Sequence, residues 1–180
     1  SAVISGAIAG PGQVIVGRAS NGAMVLKSGS SLGEAGDVDL SIGTSLGSGT
    51  VTIEPSQAFG HLAVGASGSG SLILGGIGNN TTATELAMGA GGAAQVAVNP
   101  GGSLSAGSTL CGPGVTNGAM SVTVGGASFT TESLAFSPTM KSTATFVALG
   151  STGSIALPAI DLHGTQKVLL RGTNGGHITV

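Results

Sequence analysis

Chemistry that needs a charged or nucleophilic side chain has little to draw on in these 180 residues. There are seven Asp and Glu, five Lys and Arg, three His and one Cys. The set with the most promising spacing is Asp39, His61 and Glu85. Each stands just before a short apolar segment that ends in Gly, and the series at that position reads Gln13, Asp39, His61, Glu85, Thr109 and Ser133. If those segments stack as successive rungs, the series becomes an outer column with ~4.8 Å between neighbours. An imidazole between two carboxylates could pair with them or help hold a cation; the plainer outcome is a solvated polar ladder with weak surface pairs. Glu34, Asp37 and Asp39 fall in one turn and offer a second, acid-poor candidate for calcium.

The remaining candidates are thinner. Asp161 and His163 are two apart and could face one side of a strand, where a Ser would complete a hydrolase set; an exposed terminal pair is the alternative. Gly68-Ser69-Gly70 reads as a turn and lacks the strand-to-helix setting of a nucleophile elbow. The Gly-x-Gly spacings lack the helix that a phosphate cradle needs. Cys111 has no partner for an internal disulfide and reads as a small apolar core residue. Asn79 and Asn80 each begin a glycosylation sequon. The expectation is therefore no catalytic residue and no cofactor, with Asp39, His61 and Glu85 the leading, weak metal candidates.

Composition says what must position these groups. Gly is 35 of 180 residues, charged residues are 7%, and there is no Trp or Tyr. The mean hydropathy is positive, unlike that of a disordered chain, which joins low hydrophobicity to high charge. Gly has no three-residue period, so collagen is excluded. The net charge is −2, and Arg18, Lys27, Lys141, Lys167 and Arg171 are scattered with no aromatic platform, so no nucleic-acid partner is expected. No run of ~18 apolar residues predicts a membrane span, and four Phe cannot make the girdles of a membrane barrel. A start at Ser1 fits a processed or excised chain.

The organising signal is a repeat of about 24 residues. Arm A reads Val14-Ile15-Val16-Gly17, Leu40-Ser41-Ile42-Gly43, Leu62-Ala63-Val64-Gly65 and Leu86-Ala87-Met88-Gly89. Degraded copies stand at Leu110-Cys111-Gly112 and Leu134-Ala135-Phe136-Ser137. Arm B follows a Gly-led turn: residues 22–26, 49–53, 70–74, 94–98, 120–124 and 153–157. Arm C is anchored by Leu32, Phe59, Leu104 and Phe129, is blurred around Ile77, and in the last repeat falls at Ile160. Each arm alternates with period two, as a half-buried strand does. Each turn uses Gly or Asn, which accept the left-handed backbone of a sharp corner. One such unit cannot bury its apolar face alone, but stacked units bury a continuous interior. The predicted fold is thus all-β: a single-stranded, right-handed parallel β-helix, or solenoid, of about six three-armed rungs. Its hand is expected from the crossover rule.

Residues 1–13 read as a partial first rung or N-terminal strand, 14–160 as the solenoid repeats and 161–180 as C-terminal strands outside the strict register. Residues 138–143 read as a loop or extra rung, with Val147-Ala148-Leu149-Gly150 as an alternative arm A.

Leu62 to Ile77 and Leu86 to Leu104 carry the clearest likeness to known repeats. The pattern resembles the Gly-rich β-strand repeats of autotransporter passengers and large bacterial exoproteins, over about residues 14–136. The resemblance implies a solenoid fold, secretion and a surface or matrix role; with the repeat and the low charge, the expectation is a non-enzymatic extracellular structural or adhesive protein. It brings no catalytic residues. Missing end caps point to an excised piece of a longer solenoid, to a homo-oligomer or polymer formed by end-to-end stacking, or to a lateral trimer. Two further expectations are a phage tail-spike or fibre module that binds or cleaves surface glycan, and an ice-binding solenoid. For the latter Thr50, Thr52, Thr82, Thr84, Thr123, Thr143 and Thr145 are available but share no single column.

Overall fold

The computed structural model describes residues 1–9, 12–33, 36–114, 118–164 and 166–180. Among them there is no helix. The chain is an all-β solenoid of about seven turns with a period of ~24 residues. The first turn holds β1 (Ala2–Ile4), β2 (Ala7–Ile8) and β3 (Gly12–Val16), and the second β4 (Gly22–Leu26), β5 (Ser31–Leu32) and β6 (Val38–Ile42). From the third turn each repeat has two strands. These are β7 (Gly49–Ile53) with β8 (Ala58–Val64), β9 (Gly70–Leu74) with β10 (Asn80–Met88), and β11 (Ala94–Val98) with β12 (Ser103–Cys111). Then come β13 (Met120–Gly125) with β14 (Ser128–Phe136), β15 (Thr143–Leu149) with β16 (Ser154–Ala156), and β17 (Lys167–Thr173) with β18 (His177–Thr179).

All pairing is parallel and runs from rung to rung. One sheet of eight strands has the order β1-β4-β7-β9-β11-β13-β15-β17 and collects arm B; we call it the first face. A second sheet runs β3-β6-β8-β10-β12-β14-β16-β18, and β2 pairs β5 beside it. In β8, β10, β12 and β14, arms C and A run together as one bent strand. Pairing lapses at the bend, at Gly60, Thr84, Gly107 and Glu132, and resumes at His61, Glu85, Ser108 and Ser133. Arm C therefore makes a second face and arm A a third.

The interior is filled by about one residue in two from the strands of the central turns. Leu26, Leu40, Ile42, Val51, Ile53, Leu62, Leu72, Leu74 and Leu86 are fully enclosed. All four Phe are buried, and Phe129 and Phe146 stack with ring centroids 6.2 Å apart. The corner after arm A is built on a left-handed glycine. At Gly43, φ is +69° and the N–H donates to Val16 O of the rung before, at 2.8 Å. Gly17, Gly65, Gly89 and Gly112 repeat the same backbone step.

The pairing corrects several assignments. Residues 143–149, not 153–157, form the sixth full copy of arm B; Ser154–Ala156 pairs Ser128–Thr130 and belongs to arm C. Ile160 lies outside any strand. Ile77 is 93% exposed, and arm C of that repeat is carried by the inward Thr81 and Ala83 of β10. In the fifth copy of arm A, Thr109 takes the place of Leu86, so Ser108, not Thr109, stands in the outer column. The C-terminal strands are in register, with Thr143–Leu149 paired to Lys167–Thr173 and Ser154–Ala156 to His177–Thr179. The physical reason is common to all. Period-two alternation marks a strand and its inner side, but the length of the preceding turn decides which face the strand joins.

Candidate functional site

The outer column at the start of arm A reads Gln13, Asp39, His61, Glu85, Ser108 and Ser133. Parallel register pairs Gln13 with Asp39 and runs from His61 through Glu85 and Ser108 to Ser133, and the pairing of Leu40 with Leu62 sets Asp39 beside His61. The His61 backbone N–H donates to Asp39 Oδ1 at 2.9 Å. His61 Nε2 lies 3.1 Å from Glu85 Oε1, and both side chains are near 40% exposed. The column thus brings Asp39, His61 and Glu85 together, but along a line. Asp39 is engaged by backbone, and only Glu85 meets the imidazole. No group of three His, Cys, Asp or Glu among the described residues is arranged to hold a metal ion. What the geometry offers is a solvated contact between polar side chains, of small energetic weight.

Glu34 lies outside the described residues. Asp37 and Asp39 flank the inward Val38 at the start of β6. Asp161 and His163 do meet, Oδ2 to Nε2 at 3.3 Å, but both are about four-fifths exposed and lie in the non-strand segment before β17. They do not share a strand, contrary to the sequence reading. Ser69 is in the turn into β9, where its carbonyl accepts from Gly49 N at 2.9 Å.

An ion pair, Lys27 Nζ to Glu54 Oε1 at 2.7 Å, ties two turns together. The Lys27 ammonium and the Ser28 N–H both donate to this carboxylate and hold it below the usual carboxylate range. Its small contribution is present at neutral pH and is lost as pH falls through that lowered value.

Cys111 is fully enclosed in the third face, and burial pushes its thiol up to about 12. Native protein is therefore expected to resist an aromatic disulfide reagent at pH 8 and to react stoichiometrically once unfolded in denaturant. Rapid labelling of the native form would show that the turn around Cys111 opens readily.

Sequence reasoning missed the buried amides. Gln57 caps β5: its Nε2 donates to Leu32 O and its Oε1 accepts from Leu32 N, both at 3.1 Å, so a side chain supplies a missing rung. Asn79 Nδ2 donates to the carbonyls of Ile53, Glu54 and Gly75, and its Oδ1 accepts from Thr81 Oγ1 at 2.7 Å. Gln166 Nε2 donates to Phe136 O at 3.1 Å and Ser137 O at 2.9 Å, closing the edge of β14 on the third face. The only sequence cue was an amide beside a turn. Replacing Asn79 by Ala leaves buried carbonyls without donors and is expected to cost roughly 2–3 kcal/mol. Replacing the exposed Asn80 should stay within about 0.5 kcal/mol. Denaturant midpoints compare the two. Burial of Asn79 also withdraws its sequon from the folded surface.

The flat faces carry a different signal. On the first face, from β4 to β15, the outward columns are Ala23-Thr50-Ser71-Gln95-Ser121-Thr145 and Val25-Thr52-Ile73-Ala97-Thr123-Val147. On the second, Asn80-Ser103-Ser128-Ser154 and Ala58-Thr82-Ser105-Thr130-Ala156 stand in line. Hydroxyls link rungs there, from Ser103 Oγ to Asn80 Oδ1 at 2.8 Å and from Thr130 Oγ1 to Ser105 Oγ at 3.1 Å. None of these positions is charged, and no aromatic ring lies on them. The threonines divide between faces: Thr50 and Thr145 share one column and Thr52 and Thr123 the next, each interrupted by other residues.

At the ends the character changes. The first turn exposes Val3 and Ile8, and the last exposes Leu169, Leu170 and Val180. The strands that carry these side chains, or border them, have an unpaired edge: β1 and β2 at one end, β17 and β18 at the other. Comparison of this chain with protein-family models, with curated proteins and with solved structures returns no match.

Proposed function

We propose that the chain is a non-enzymatic structural rod that works outside the cell and associates with further copies of itself. The observation that carries the reading is the flat outward surface of the first and second faces, whose columns named above hold hydroxyl, amide and aliphatic side chains and no charge. Such faces suit a scaffold, since they bring no like charges together when rods lie side by side. The extracellular setting rests on the resemblance to passenger and exoprotein repeats and on the composition.

The test is sedimentation velocity with light scattering across a range of concentrations. The average mass is expected to climb well above the 16.9 kDa of one chain as concentration rises, and to change little with salt, because apolar contacts and hydrogen bonds are screened weakly. A mass fixed at that of one chain throughout would overturn the proposal.

A further inference from the structure

We propose that two copies pack first face to first face as a two-fold dimer, with their rod axes antiparallel. The proposal rests on the self-association above and specifies its interface.

The first face gains most from being covered. Its middle outward column reads Val25-Thr52-Ile73-Ala97-Thr123-Val147, so every rung from β4 to β15 offers methyl groups and none a charge. All six side chains are half-buried in a single copy. On the second face the outward positions are mostly hydroxyls, several already bonded to one another along the axis, and such groups gain little by leaving water. On the third face the outward Ser41, Ala63 and Ala87 are already buried and leave little to cover.

Pitch sets the occupant. Side chains on this face repeat at the rung spacing of ~4.8 Å, and a surface with the same repeat seats every rung alike. A second copy has that repeat. The order of the column then selects the direction. Turned end for end about a two-fold axis midway between Ile73 and Ala97, the column meets itself with Ile73 opposite Ala97, Thr52 opposite Thr123 and Val25 opposite Val147. The largest side chain faces the smallest at the centre, Thr faces Thr, and Val closes each end. With axes parallel, each residue would face its own counterpart, so Ile73 would crowd Ile73 while Ala97 left a gap at Ala97. The neighbouring column agrees, since reversal sets Ser71 opposite Gln95 and Thr50 opposite Ser121, each a donor and acceptor for the other. An isologous interface requires this kind of self-complementarity. Beyond β15 the middle column passes to Arg171, paired with Val147 in its own copy, which bounds the uncharged patch at its rim.

Six strands of at least five residues make this patch. It measures about 29 Å by 16 Å, so two copies cover roughly 1,000 Å² in all, the size at which specific interfaces begin. The dimer is therefore reversible and depends on concentration.

Charges placed on the face read both the interface and its direction. In sedimentation equilibrium the wild-type mass is expected to level off at twice the 16.9 kDa of one chain. Ile73→Lys is expected to stay a single chain, whereas Thr82→Lys, on the second face, should associate as wild type does. Thr52→Lys and Thr123→Glu are each expected to raise the dimer Kd about tenfold or more, and the double variant to bring it back to within about threefold of wild type. Only the antiparallel order sets each new ammonium against a new carboxylate of the other copy. Within one copy the two positions are three rungs, ~14 Å, apart and do not pair. Far-ultraviolet circular dichroism checks that each variant keeps its fold, and the double variant answers the question even where Ile73→Lys does not fold. The failures are distinguishable. Absence of wild-type association defeats both the self-association reading and this interface. Association lost in Thr82→Lys, or kept in folded Ile73→Lys, leaves that reading standing and overturns the first-face interface. A double variant no tighter than the single ones overturns the antiparallel order, and a wild-type mass that rises past two chains overturns the closed dimer.

Discussion

Replacing Gly43 by Ala is expected to destabilise the protein by roughly 3–5 kcal/mol. Two costs combine. A Cβ at φ +69° strains the backbone by about 1–2 kcal/mol. The same Cβ would lie 2.1 Å from Ser69 O, a backbone atom of the following rung that cannot swing away as a side chain can. To relieve the clash the Gly43 corner must leave Val16 O or the Ser69 turn must lose its bond from Gly49, and each move strips hydrogen bonds from a ladder. Gly29 supplies the control. Its φ is +82°, but nothing lies within 4 Å of an added Cβ, so Gly29→Ala should show only the strain, about 1–2 kcal/mol. With no Trp or Tyr in the chain, unfolding is followed by far-ultraviolet circular dichroism in urea. Equal midpoints for the two variants would show that the corner is looser than its contacts indicate.

Phe129→Ala is expected to cost about 3–5 kcal/mol. Phe129 is fully buried, sits between Leu104 and Ile155 in its column, and stacks on Phe146 across the interior. It is the place where the second face packs on the first with aromatic rings, so truncation opens a cavity that neighbouring rungs fill poorly. Phe129→Leu, which keeps most of the volume, should cost less than about 1.5 kcal/mol. Because each rung touches mainly its neighbours, the loss should be local at first. Hydrogen exchange in Phe129→Ala is expected to rise from β14 to β18 well before it rises in β7 to β9. A uniform rise would mean that the rod unfolds as one unit.

The sequence made the architecture readable because the repeat is written in two kinds of residue. Left-handed glycines recur where the chain turns, and aliphatic residues recur at every second position between them. Those two signals place arms A and B correctly over most of the chain. They also place Asp39, His61 and Glu85 in one column, since a residue just outside a repeated arm must repeat in space as well. What alternation cannot tell is which face a strand joins. Ser154-Ile155-Ala156 alternates like an arm B but follows a short turn after β15, and that turn sets it on the second face. Thr109 hid for another reason. A Thr at an inward position reads as surface until its hydroxyl is seen to donate to Thr131 Oγ1, at 2.9 Å inside the core. The amides of Gln57, Asn79 and Gln166 were unreadable in the same way. Most of their partners are main-chain groups of other turns, which exist as targets only after the rungs have stacked.

The candidate site was legible as a column but not as chemistry. Column membership follows from the repeat. The distance from His61 to Glu85 and the capture of the Asp39 carboxylate by the His61 N–H depend on side-chain torsions and on the bend at Gly60, which pattern alone does not set.

The central claim is that parallel rungs stack along one axis into a rod and that rods associate with further copies. Electron microscopy of frozen, concentrated protein tests it most directly. The account predicts assemblies of more than one copy whose rods show a rung spacing of ~4.8 Å along the axis. Particles of a single copy at every concentration, or rods without that spacing, would contradict it.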